Sequence, residues 1–119
     1  MKIAITAKST DKSSEVDPRF GRAVNFFIYD TETNEFAFVN NSQSLDSASG
    51  AGIQAAKTVI DQGVGALLTG HCGPKAFKAL TAAEVDIYVN ITGTIKEAIE
   101  LFEQGKLEKA DNADVEGHW

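Results

Sequence analysis

The chain has 119 residues, 43% of them hydrophobic and 24% charged, the dimensions of one soluble domain with one core. A formal net charge of −6 gives a nucleic-acid partner no general electrostatic support, and a single cysteine excludes both an internal disulfide and a CxxC zinc site. No run approaches the ~18 apolar residues that cross a bilayer, and the first residues lack a signal-peptide pattern, so a cytoplasmic protein in a reducing compartment is expected.

Residues 2–7 (KIAITA) are nearly continuously apolar and read as a first strand buried on both faces. Residues 8–22 carry no period and form a long polar loop, of the kind that is functional or mobile in small domains. It ends on Asp17-Pro18-Arg19-Phe20-Gly21-Arg22. Two guanidiniums flanking a ring suit an anion; alternatively, Phe20 anchors the loop on the core and the arginines are solvated.

Residues 24–30 and 35–40 alternate as a hairpin around the turn at 31–34. A serine-rich loop over 41–49 follows. Ser49, Gly50, Ala51 and Gly52 open the first helix, with Ile53, Ala56 and Ile60 on its inner face. Each glycine in a first turn costs about 1 kcal/mol relative to Ala. Close approach of a ligand explains that cost, and so does packing that leaves no room for a Cβ. Gly63 ends the helix.

Residues 65–68 are the fourth strand. The turn Thr69-Gly70-His71-Cys72-Gly73-Pro74-Lys75-Ala76 leads into a second helix that runs to about Thr81. Gly73 and Pro74 suit a helix start, which leaves backbone N–H groups pointing outward, and Lys75 adds a positive charge there. The only cysteine lies beside one of two histidines, so the turn reads as an anion or metal-group site, or as a tight bend over a partly buried thiol. Residues 85–90 are the fifth strand. Thr94 to Glu97 spell a capping box for a third helix with Ile95, Ala98, Ile99 and Phe102 on one face, closed by Gly105. Residues 106–119 form a flexible acidic tail, disordered or loosely docked, carrying His118 and Trp119.

The order βββαβαβα predicts an α/β domain: a five-stranded mixed sheet with helices on both faces. Strands one, four and five line up in parallel, strand two lies antiparallel beside strand one, and strand three lies outside it. The loops after strands one, three, four and five then share one edge, where open α/β sheets bind ligands. Arg19 to Arg22, Ser49 to Gly52, His71 to Lys75 and Ile91 to Thr94 are those loops.

On the stretches Lys2-Ile3-Ala4-Ile5, Arg19-Phe20-Gly21-Arg22, Gly50-Ala51-Gly52-Ile53 and Gly73-Pro74-Lys75-Ala76, continued through Ile87-Tyr88 and the Ile95-to-Phe102 helix, the chain resembles the dinitrogenase iron–molybdenum cofactor biosynthesis family. The resemblance covers residues 1–105. It is similar in particular to the orange-protein branch, whose members come from anaerobes. The resemblance implies a ribonuclease-H-like fold. It also implies non-covalent binding of an anionic metal–sulfur cluster, either a molybdenum–copper sulfide or an iron–molybdenum cofactor precursor, and protein partners in a cluster-delivery complex.

Such a guest suits the residues named. Amides at Gly50, Gly52 and Gly73 can donate to sulfides. Arg19, Arg22 and Lys75 can balance charge, and Phe20 and Ile53 can cover an apolar flank. Cys72 and His71 are candidate metal ligands, because thiolate and imidazole both suit copper. Two rivals use the same fold. A metal-dependent hydrolase needs carboxylates on central strands, which residues 3–6 lack, and Asp86 falls early on strand five. A thiol enzyme would use Cys72 activated by His71 and lacks an evident orienting acid.

Overall fold

The computed structural model describes residues 1–11, 13–41 and 50–113. β1 (Lys2–Ala7) is the middle strand of a five-stranded sheet, and all its residues except Lys2 are buried, as its apolar run predicts. β2 (Asn25–Asp30) pairs antiparallel with β1, and β3 (Phe36–Asn40) pairs antiparallel with β2. β4 (Ala66–Leu68) and β5 (Asp86–Tyr88) run parallel to β1, which gives the expected order β3-β2-β1-β4-β5.

β5 is shorter than residues 85–90. Asn90 has φ +63°, the left-handed region, and breaks the extended run. The chains beyond β4 and β5 still pair irregularly: Asn90 N donates to Gly70 O at 2.8 Å and Ile91 N to Thr69 O at 3.1 Å.

Three helices cover the sheet among the described residues: α1 (Ala51–Asp61), α2 (Pro74–Ala82) and α3 (Ile95–Glu103). α1 and α2 pack on one face over Ala4, Phe26, Leu67 and Ile87. α3 packs on the other through Ile95 and Ala98 onto Ile3, Ile5, Phe27 and Leu68. The result is the α/β, ribonuclease-H-like arrangement expected. On α1, however, the inner stripe is Ala51, Ala55 and Val59 with Ala56 beside them, while Ile53 is 46% exposed. The expected face is therefore turned. The alanines let the helix sit close to the sheet, and Ile53 is left at the surface of the first turn.

α3 carries its predicted capping box: Glu97 N donates to Thr94 Oγ1 at 3.2 Å, and Thr94 N donates to Glu97 Oε1 at 3.0 Å. The Thr94 N–H, and the Thr94 hydroxyl 3.0 Å from the same Oε1, favour the ionised carboxylate and hold the Glu97 carboxyl below its ordinary value of 4.5.

The segment after α3 does not leave the domain at residue 105. Leu107 packs on the α3-side core, Lys109 bridges Tyr88, and Ala110 N donates to Ile87 O at 2.7 Å. The edge of β5 presents unpaired backbone groups, and this segment satisfies them. Ser49, His118 and Trp119, named above, lie outside the described residues.

Candidate functional site

Parallel β1, β4 and β5, with β3 running the same way, all end at one edge of the sheet. The loop after β1 has no sequence period, yet it is pinned at several points. Asp17 N donates to Thr6 O at 2.8 Å, Val16 N to Gly93 O at 2.9 Å, and Ile95 N to Ser14 O at 2.9 Å. Two buried threonines sit beneath it. Thr6 Oγ1 donates to Asp17 O at 2.6 Å and lies 3.0 Å from Thr69 Oγ1. The sequence signal for this fastening is a threonine close to the C-terminal end of each of two apolar strands, Thr6 within β1 and Thr69 just after β4.

The loop then crosses the end of β4. His71 N donates to Pro18 O at 2.7 Å and Phe20 N to His71 O at 3.2 Å, so Arg19 and His71 lie side by side as bridge partners. The crossing is tight. A Cβ on Gly70 would sit 2.6 Å from Pro18 Cα, a contact no side chain can make. After the crossing comes a single 3-10 turn, Phe20–Arg22. Phe20 is 0% exposed and packs 5.6 Å from the Phe26 ring. The expectation that Phe20 covers the flank of a guest is therefore corrected: its ring lies in the core and holds the loop down. Arg19 is exposed beside it and Arg22 half-buried.

The His71 turn leads directly into α2. Gly73 is the N-cap and Pro74 the first helical residue. Lys75 is exposed, His71 half-buried and Gly73 buried. Cys72 is 0% exposed, part of the α1/α2-side core, with Sγ 3.7 Å from Gly73 O. The thiol thus points beneath the turn, and His71 is the member of the pair nearer the surface.

α1 starts alongside. A Cβ on Gly52 would meet Ala76 Cβ at 3.5 Å, which brings the first turns of α1 and α2 together. That distance is ordinary contact, and a Cβ on Gly50 would meet only Gln54 Nε2, at 4.0 Å. Neither glycine has a positive φ. Packing and backbone strain both leave room for alanine at 50 and 52. Neither α1 nor α2 has a side-chain cap or an acidic residue in its first turn. Among the described residues no side chain caps their leading amides, and Ile53 is exposed in the first turn of α1.

Arg19, His71, Gly73, Lys75, Gly52 and Ile53 thus lie on adjoining segments: the loop that crosses the end of β4 before the 3-10 turn, and two neighbouring helix starts. The geometry offers amide donors and positive charge to an anion. Among the described residues no group of three His, Cys, Asp or Glu converges on a metal position. Asp86 lies at the far end of β5, 3.4 Å from Lys109, away from this edge.

The profile of the family described as dinitrogenase iron-molybdenum cofactor matches residues 1–105. A protein of Methanocaldococcus jannaschii, described only as uncharacterized, is 32% identical over 114 residues, 92% of this chain and 91% of that one. The apo form of the orange protein from Desulfovibrio gigas superposes with a TM-score of 0.94 at 38% identity, covering 96% of each chain. A Thermotoga protein described as a candidate NifB protein of the DUF35 family gives 0.84 at 37% identity over 98% of each chain. With its fold, its loop edge and these likenesses taken together, the chain belongs to the dinitrogenase iron–molybdenum cofactor family.

Proposed function

We propose that the protein is a non-enzymatic carrier that holds an anionic metal–sulfur cluster at the loop edge of its sheet, for storage, delivery or assembly within a multiprotein pathway. The observation that carries this reading is the pair of adjoining helix starts. The α1 glycines, Gly50 and Gly52, are required by no neighbour, and they adjoin the α2 start that lies between His71 and Lys75, with Arg19 as the bridge partner of His71. An extended anion of soft sulfides can accept several weak N–H donors at once, and it needs backbone rather than side chains at closest approach.

In this reading Gly50, Gly52 and Gly73 supply amides, Arg19, Arg22 and Lys75 supply charge, and Ile53 covers an apolar flank. His71 is the candidate ligand at the surface. Cys72 supports the turn from below, and it reaches a metal only if its side chain rotates out of the core. The cargo class is a sulfide-bridged molybdenum–copper cluster, with an iron–molybdenum cofactor precursor as the alternative. The incomplete protein donor set favours a guest that is assembled on its own sulfides.

The test is purification of the protein without oxygen, followed by a visible spectrum and metal analysis. Molybdenum with copper or iron, co-eluting with the chain and giving charge-transfer absorption, is the expected result. A colourless, metal-free protein that also fails to retain tetrathiomolybdate with copper(I) overturns the proposal.

A further inference from the structure

The two faces of the sheet are covered unequally. Five strands at about 4.8 Å spacing make a sheet about 19 Å wide, and a helix with its side chains is about 10 Å across, so each face has room for two helices. One face carries α1 and α2; the other carries α3 as its single helix among the described residues. Phe102 of α3 packs edge-on against Tyr88 of β5 at 5.6 Å, which places α3 toward the β4–β5 half. Among the described residues the β2–β3 half of that face has no helix over it.

What lies there is an open groove of about 630 Å³. Its floor is aromatic. Phe27 stacks with Tyr29 at 6.1 Å and with Phe36 at 5.4 Å. Phe36 is 43% exposed. Ile95 and Ile99 of α3 form one apolar wall, and above them the same helix presents Glu100 and Glu103 against a single Lys96. The groove is therefore apolar at its base and net acidic along its wall, in a chain of formal charge −6.

We propose that this groove receives an amphipathic helix of a partner protein, apolar on one stripe and flanked by lysine or arginine. Such a helix completes the second helical layer, buries the aromatic floor and sets its basic flank against Glu100 and Glu103. Charge decides against a second copy of this chain, whose surface would repeat the same acidic sign. The inference stands on the face opposite α1 and α2 and does not depend on the identity of the cargo.

The experiment uses the full chain, isotope-labelled, titrated with a helical peptide of about 15 residues bearing Leu on one stripe and Lys elsewhere. The expected result is saturable shift changes confined to the Tyr29, Phe36 and Ile99 region. Binding becomes at least about tenfold weaker in each of the surface variants Phe36→Ser and Glu103→Lys. Absence of localised shifts at millimolar peptide overturns the proposal. Equal binding of a peptide with Glu in place of Lys, or tighter binding of an alternating Leu-Lys strand peptide, does so as well.

Two other occupants are read in the same samples. Trp119 is the only tryptophan, so an emission shift in Phe36→Ser would mean that the chain's own tail fills the groove. A dimer in sedimentation that dissociates in Phe36→Ser would mean a second copy fills it. Either result overturns the proposal; unchanged emission and a monomer support it.

Discussion

All three helices begin at the same edge of the sheet, and they begin differently. α3 starts with a complete capping box, in which the Thr94 hydroxyl and the Glu97 carboxylate satisfy each other's backbone amides. α1 and α2 start on glycine N-caps with no side-chain cap and no acidic residue in the first turn. A capped start stabilises its helix locally and closes the amides to anything else. A start capped by glycine forgoes only about a few tenths of a kcal/mol and leaves them without a side-chain partner. Two open starts side by side, next to Arg19 and Lys75, are therefore read as a receptor, and the capped one as architecture.

The comparison can be broken most severely from beneath. Phe20→Ala removes a fully buried ring under the loop that carries Arg19, and the expected loss is about 3–5 kcal/mol, read by chemical denaturation. A loss under 1 kcal/mol would mean that the loop is not fastened through the core. Gly70→Ala comes next. Its methyl collides with the Pro18 backbone, and a cost of about 1–3 kcal/mol is expected, with exchange protection of the His71 amide falling.

Thr94→Ala opens the capped start. It should cost about 1 kcal/mol in thermal or denaturant unfolding and leave cluster retention unchanged. The same box gives a pH signature. The Glu97 carboxyl is held below its ordinary value in the folded protein, so it is protonated less readily there than in the unfolded chain. Its stabilisation is fully present above about 4.5 and is lost as pH falls through the folded value; Glu97→Gln should flatten that acid limb. The smallest effect on stability belongs to Gly50→Asp, which supplies α1 with the missing cap. A gain of a few tenths of a kcal/mol is expected, together with loss of anion binding, because the new carboxylate occupies the amides and repels the guest.

Much of this edge could be read from the chain. The hairpin, the two parallel crossovers and the strand order followed from apolar runs and turn residues, and the Thr94–Glu97 box from its spacing. The loop-edge residues were identified by type: glycines, arginines, a Gly-Pro helix start. What could not be read was depth. Phe20 and Ile53 look alike as apolar residues beside a loop, yet the first is buried and the second is exposed. The difference is tertiary. Phe20 finds Phe26 on a strand, whereas the sheet contact of α1 is taken by its alanines. The Pro18–Gly70 crossing is likewise a contact between segments far apart in sequence, and no local pattern announces it. The docking of residues 107–110 on β5 depends on the strand edge there and not on the segment's own composition.

The most direct measurement is retention of tetrathiomolybdate and copper(I) after anaerobic desalting, compared between the wild-type chain, Gly50→Asp and Thr94→Ala. The account predicts molybdenum and copper bound to the wild type and to Thr94→Ala, and at least about tenfold less on Gly50→Asp. Equal retention by all three would show that the open helix starts do not hold the guest.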